Sequence, residues 1–211
     1  MNNKTFIIFL TIIIISSCGS QVKENPNSLT KFEIAFRFLP DSLSSPFNHP
    51  SVRNNPKNPW ADSEFQKIKN RLWKDTSLLF PLSDFDKILC FKYKKFDIRK
   101  PQFILNKKGY FSDEVITPGS KLSGIQAEQL LAIINDTSAY DRRRFNGVFS
   151  SVKIFGLLFI KEENKVVGLT DIYEDHIVIS PVIPRACYGS VRLKGDYHIK
   201  IINIIKEILN K

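Results

Sequence analysis

Two apolar runs in the later half of the chain constrain its fold most. Lys153 to Ile160 (KIFGLLFI) and Lys165 to Asp171 (KVVGLTD) flank the polar turn Lys161-Glu162-Glu163-Asn164. Both runs are strand-length and rich in β-branched and aromatic residues, and the turn is too short for a crossover helix. They are therefore predicted to pair as an antiparallel hairpin. Pro101 to Leu105 and Tyr110 to Ile116 repeat the arrangement around Asn106-Lys107-Lys108-Gly109, with Gly109 where the turn needs a positive φ. An isolated hairpin is marginal in water, so the remaining segments must extend and cover the sheet.

Lys31 to Leu39 (KFEIAFRFL) alternates with period two. It predicts a half-buried strand with Phe32, Ile34, Phe36 and Phe38 on one face, ended by Pro40. Lys87 to Lys95 is a further strand, basic at its end, and Ile177 to Ser180 another, stopped by Pro181. Three helices are expected. Ala61 to Lys74 places Phe65, Ile68 and Leu72 on one face, with Trp73 beside them and Asp62 or Ser63 as cap. Ser123 to Ile134 opens with the capping-box pair Ser123 and Gln126 and offers Ile125, Leu130, Leu131 and Ile134 for burial. Asp196 to Leu209 is amphipathic through Ile201, Ile204, Ile205 and Ile208.

Hairpins interrupted by helices indicate an α+β domain with a mostly antiparallel sheet over residues 31–211. The helices at Ala61 and Ser123 could also act as parallel crossovers, so a mixed sheet is the second arrangement. Residues 40–60 are Pro- and Asn-rich without either period and read as a long, mobile, irregular loop. Composition agrees with a single folded domain: 211 residues, 43% hydrophobic and 25% charged, with 17 Phe for a core. These values exclude a mostly disordered chain, a collagen-like repeat and a multi-span membrane protein.

The N-terminus carries an address. Met1-Asn2-Asn3-Lys4 is short and positive, and Phe6 to Ile15 is apolar except for Thr11. Ten helical residues reach about 15 Å, half a bilayer core, so this is not a spanning helix. Ile15-Ser16-Ser17-Cys18 follows at once, with no Ala-x-Ala-like site nearby. The segment resembles the signal peptide and lipobox of bacterial lipoproteins. That resemblance implies a signal peptide over 1–17, cleavage before Cys18, a diacylglyceryl group on the Cys18 sulfur and acylation of the freed amine. One acyl chain anchors only marginally, whereas two or three hold stably. Residues 18–30 then form a polar tether. Lys23-Glu24 is mixed rather than an acidic run, which points to the periplasmic side of the outer membrane rather than surface display.

Two further resemblances are local. Asp41-Ser42-Leu43 resembles the acceptor of Bacteroidota protein O-glycosylation. The hairpin and terminal helix resemble small Bacteroidota lipoproteins, some of which carry Cys-x-x-Cys near the end of the second strand. Here Asp171-Ile172-Tyr173-Glu174 stands instead, so no metal or redox role follows from that likeness.

Chemically able residues are few. Asp171, Glu174, Asp175 and His176 are the densest cluster, able to ligate a cation or serve as acid and base; a solvated turn is the plainer alternative. Cys90 and Cys187 form an even pair in an oxidising compartment, and a bridge closing so long a loop is worth about 4–5 kcal/mol in the chain-entropy model. The alternative is two unpaired thiols, with Cys90 buried between Leu89 and Phe91. A nucleophilic Cys187 with His176 or His198 ranks lower. Serine-nucleophile, phosphate-loop, dinucleotide and zincin patterns are absent, and no cofactor is expected.

Positive charge gathers at Arg142-Arg143-Arg144, Lys92 to Lys95 and Arg99-Lys100 on a chain of net charge +10. In an exported protein this suits an anionic envelope component or an acidic protein and not nucleic acid; a solvated basic face is the simpler alternative. The sequence thus favours a membrane-anchored, non-enzymatic binding or structural module. The alternative is an exported hydrolase using the Asp171 to His176 cluster, which a pocket gathering those groups with Cys187, His198 or Arg142 to Arg144 would support.

Overall fold

The structure, a computed structural model, describes residues 30–53, 63–95, 103–141, 152–186 and 190–209. Its elements in chain order are β1 (Glu33–Ile34), α1 (Asp41–Ser44), α2 (Pro50–Arg53), α3 (Ser63–Lys74), β2 (Lys87–Tyr93), β3 (Val115–Lys121), α4 (Gly124–Ile134), β4 (Lys153–Lys161), β5 (Lys165–Tyr173), β6 (Ile177–Ser180), β7 (Ser190–Val191) and α5 (Gly195–Leu209). The strands form one sheet in the order β3-β2-β4-β5-β6-β7, and every pair along that path is antiparallel. The α+β fold with a mostly antiparallel sheet is therefore as expected. The exception is β1, which lies parallel beside the start of β5, Glu33 opposite Lys165 and Ile34 opposite Val166.

The β4–β5 hairpin is the centre of the sheet, because its strands are apolar on both faces. On β4, Phe155, Leu157 and Phe159 enter one cluster, and Leu158 and Ile160 the opposite one. β2 divides likewise, with Ile88 and Cys90 on the first side and Phe91 and Tyr93 on the second. The first face is covered by α4 and α5 through Leu130, Ile134, Ile201 and Ile205. The second is covered by Phe32, Ile104, Leu105 and Val115. Continuous apolar runs such as FGLLFI are what a strand buried on both faces requires. A third cluster joins α3, through Phe65, Ile68 and Leu72, to Val52 of α2, with Phe47 packed against it.

Four expectations need correction. Lys31 to Leu39 is not a long half-buried strand. Only Glu33 and Ile34 pair, Phe32 is buried, and Ile34 and Phe38 are 53% and 74% exposed. The segment is a strap fixed by backbone bonds from Phe32 N–H to Gly109 O (2.8 Å), Glu33 N–H to Asn164 O (3.0 Å) and Ala35 N–H to Val166 O (2.9 Å). It therefore covers the sheet with Phe32 and, in part, Phe36 rather than with a whole face.

Residues 40–53 are not irregular loop. They hold α1, α2 and a 3₁₀ turn at Pro46–Asn48, because α3 offers Phe65 for Phe47 to pack on at 5.0 Å between ring centroids. Ile125 is 70% exposed; α4 buries Leu130, Ile133 and Ile134 instead. The second strand of the 106–109 hairpin is reduced to a single bridge, Leu105 to Phe111, and the chain continues into β3, which pairs with β2. The turn itself forms as predicted, with Gly109 at φ +86°. The capping box of Ser123 and Gln126 is also present.

Candidate functional site

The end of the sheet where β5 turns into β6 collects the ionisable side chains. β5 places Asp171 beneath the second apolar layer, among groups that hide it from water. The Tyr93 hydroxyl donates to Asp171 Oδ1 at 2.6 Å, and the Lys153 ammonium to Oδ2 at 2.7 Å. Both members of the ion pair are about one-tenth exposed, 10% for Lys153 and 11% for Asp171. The ammonium also lies 5.5 Å from the ring centroids of Tyr93, Phe103 and Tyr173, within cation–π range of each. Burial, reinforced by the Asp171 charge, pushes the Tyr93 phenol far above its usual range, so it acts only as a donor.

One turn further on, a second group forms. Asp175 Oδ1 meets His176 Nδ1 at 2.7 Å, and Asp175 Oδ2 accepts from Arg192 Nη2 at 3.1 Å. The His176 ring stacks on Tyr173 at 4.1 Å between centroids and 19° between planes. Tyr173 thus links the two groups, with Lys153 near one side and His176 against its face. Burial lowers the His176 pKa more than Asp175 raises it, so the imidazole is neutral near pH 7. In that form Nδ1–H donates to Asp175, an assignment that follows from the acceptor-only carboxylate.

His198, on the first turn of α5, is the neighbour that sequence spacing does not reveal. It is 7% exposed and lies against the Tyr173 and Glu174 backbone. Burial lowers its pKa, opposed by the nearby Tyr173 and Glu174 backbone and by Asp175. His198 lies close enough to His176 to depress its protonation.

The predicted four-residue cluster therefore divides. Asp171 turns to Tyr93 and Lys153, Asp175 and His176 pair with each other, and Glu174 is exposed. Among the described residues no group of three or more His, Cys, Asp or Glu is arranged to hold a metal ion. The four candidate cation ligands do not converge, because alternate residues of a strand leave on opposite faces and Asp171 is committed before the turn begins.

The chain matches no known protein family, no curated protein and no solved structure.

Its chemistry is accordingly read from geometry. An imidazole oriented by a carboxylate is a competent acid–base arrangement. The buried Lys153–Asp171–Tyr93 triad is instead a tie between β2, β4 and β5, its polar atoms occupied by one another. Cys90 is buried, which pushes its thiol pKa up to about 12. Cys18, Cys187 and Arg142 to Arg144 lie outside the described residues, as do Arg99 and Lys100. Asp41-Ser42-Leu43 opens α1 rather than lying in a loop.

A residue without a sequence signal is Arg185, in the 3₁₀ turn Pro184–Ala186 and only 2% exposed. Its guanidinium donates to the Asn135 carbonyl and, at 3.4 Å, to the Leu78 carbonyl. The Asn135 side chain in turn brackets Phe80, accepting from its N–H at 2.8 Å and donating to its carbonyl at 2.7 Å. This clamp ends α4 and holds the 78–80 segment under the core, a structural use of a buried charge.

Proposed function

We propose that the protein is a lipid-anchored envelope lipoprotein whose α+β domain serves as a non-enzymatic binding or structural module. The reading is carried by one observation, the apolar Phe6 to Ile15 run ending at Ile15-Ser16-Ser17-Cys18. No helix among the described residues is long and apolar enough to cross a membrane, so attachment in this reading falls to Cys18. Satisfaction of Lys153, Asp171 and Tyr93 by one another supports a structural rather than catalytic role for the most buried charges. Cys18→Ala is expected to abolish both membrane retention and incorporation of labelled fatty acid. Retention of the variant in the membrane fraction, with fatty acid still incorporated elsewhere, overturns the reading.

The second reading is an exported hydrolase, favoured by the 2.7 Å Asp175–His176 contact beside buried His198. In it His176 is the base and Asp175 orients it. It predicts ester or amide turnover that His176→Gln reduces by at least a hundredfold. Turnover indifferent to that substitution, or none across a panel of such substrates, dismisses it.

A further inference from the structure

The strap at the start of the domain leaves apolar side chains in water where the fold has no need of them. Ile34 and Phe38 are 53% and 74% exposed, and the Phe36 ring sits against Phe38 at 5.9 Å between centroids. Exposed Lys31 and Arg37 are interleaved with them. The strap's backbone is pinned between two turns, the Asn106–Gly109 turn on one side and Asn164 on the other. The first of these adds exposed Lys107 and Lys108. Together with Lys31, Phe32, Ile34 and Asn164 these lysines line a shallow cavity of about 490 Å³. Glu33 stands in the same surface, and Lys165 is already paired with Glu162 at 2.8 Å, so among the described residues the balance of charge here is positive.

Apolar side chains ringed by lysine and arginine fit a surface with a fatty interior and negative headgroups. We propose that this face docks on an anionic lipid bilayer, with Ile34 and Phe38 among the headgroups and Lys31, Arg37, Lys107 and Lys108 on their phosphates. The inference rests on the anchoring reading for its occupant. Residue 30 is where the described chain begins, and the length of chain from Cys18 to there can reach at most about 40 Å however it runs. The strap is thus the part of the domain held nearest the bilayer, at an effective concentration high enough for a weak contact to be occupied. A protein partner or a second copy of the chain is the competing occupant.

The test uses the full-length processed protein reconstituted in vesicles of phosphatidylcholine alone or with one-third phosphatidylglycerol, footprinted with a water-soluble acetylating reagent. Acetylation of Lys31, Lys107 and Lys108 is expected to slow at least threefold in the anionic vesicles. Lys67, Lys74 and Lys200, on α3 and α5, are expected not to change. Phe38→Ser and the pair Lys107→Glu with Lys108→Glu should each reduce the protection, and high salt should erase it. Equal acetylation in both vesicles, or protection that also appears in detergent and rises with protein concentration, overturns the proposal; the latter indicates self-association. The mass of the N-terminal peptide reports lipidation of Cys18 separately. If it carries no lipid the anchoring reading fails, while titration of the same protein with anionic vesicles still reads docking through the lysine footprint.

Discussion

Lys153 and Asp171 meet at 2.7 Å across the central hairpin, each about one-tenth exposed, and Tyr93 closes the other carboxylate oxygen. Removing one member of a buried pair strands the other charge. Lys153→Met is therefore expected to destabilise the fold by about 3 kcal/mol in urea denaturation, and Lys153→Met with Asp171→Asn to recover most of that. A cost below about 1 kcal/mol for the single change, the scale of an exposed pair, contradicts the burial argument.

The two imidazoles set a pH dependence of known sign. His176 and His198 both have folded pKa values lowered from 6.5, chiefly by burial, so the unfolded chain binds protons more readily. Their contribution is complete above about pH 6.5 and is lost as pH falls from there toward the folded values. Asp175 and Arg192 face His176 and temper the effect in opposite directions. Thermal melting should fall between pH 7.5 and 5.5. His198→Phe, which removes the titrating ring and keeps its apolar volume, should flatten that fall. A wild-type melting temperature independent of pH across this window would count against both buried histidines.

Gly109 anchors the strap by two constraints at once. Its φ is +86°, and a Cβ there would lie 2.2 Å from the Phe32 carbonyl oxygen, a backbone atom that cannot step aside. Gly109→Ala is expected to cost at least about 2 kcal/mol and to speed amide exchange at Phe32 and Glu33 before the β4–β5 hairpin. Unchanged exchange at those amides would show that the strap does not depend on this turn.

Cys90 lies on β2, buried in the first apolar cluster, with its thiol pushed up to about 12. The native protein at pH 8 should resist alkylation at Cys90 and react there within minutes in denaturant, because the thiolate is the reactive form. Rapid native labelling at that site, read by peptide mass, refutes the assigned burial.

The elements that sequence foretold are those whose signals are local and redundant. Lys153 to Ile160 and Lys165 to Asp171 have strand-length apolar runs and a polar turn in agreement, and the Ser123–Gln126 box announces α4 by two side chains. β3 was hidden because Thr117-Pro118-Gly119 has the chemistry of a turn; an edge strand tolerates it, since one side of the backbone needs no ladder partner. Lys31 to Leu39 misled in the opposite sense. Its alternation is regular, yet sheet pairing stops after Ile34, so Phe36 is only partly covered and Phe38 has no layer to enter.

The candidate site shows the same division. Asp175 and His176 are adjacent and could be paired by inspection. Tyr93 and Asp171 are 78 positions apart, and Arg192 follows Asp175 by 17, so only the folded sheet brings these groups together. Arg185 carries no local mark, and His198 stands out in the sequence only as an imidazole; their burial comes from distant segments.

The parallel seating of β1 against β5 has a mechanical meaning. A pull on residue 30 directed along the strand loads the bonds from Glu33 to Asn164 and from Ala35 to Val166 together, in shear, while Phe32 holds to Gly109. They would have to rupture as a set rather than unzip singly. Tension entering through the N-terminal segment is then passed to the longest hairpin of the sheet, the part of the molecule best able to bear it.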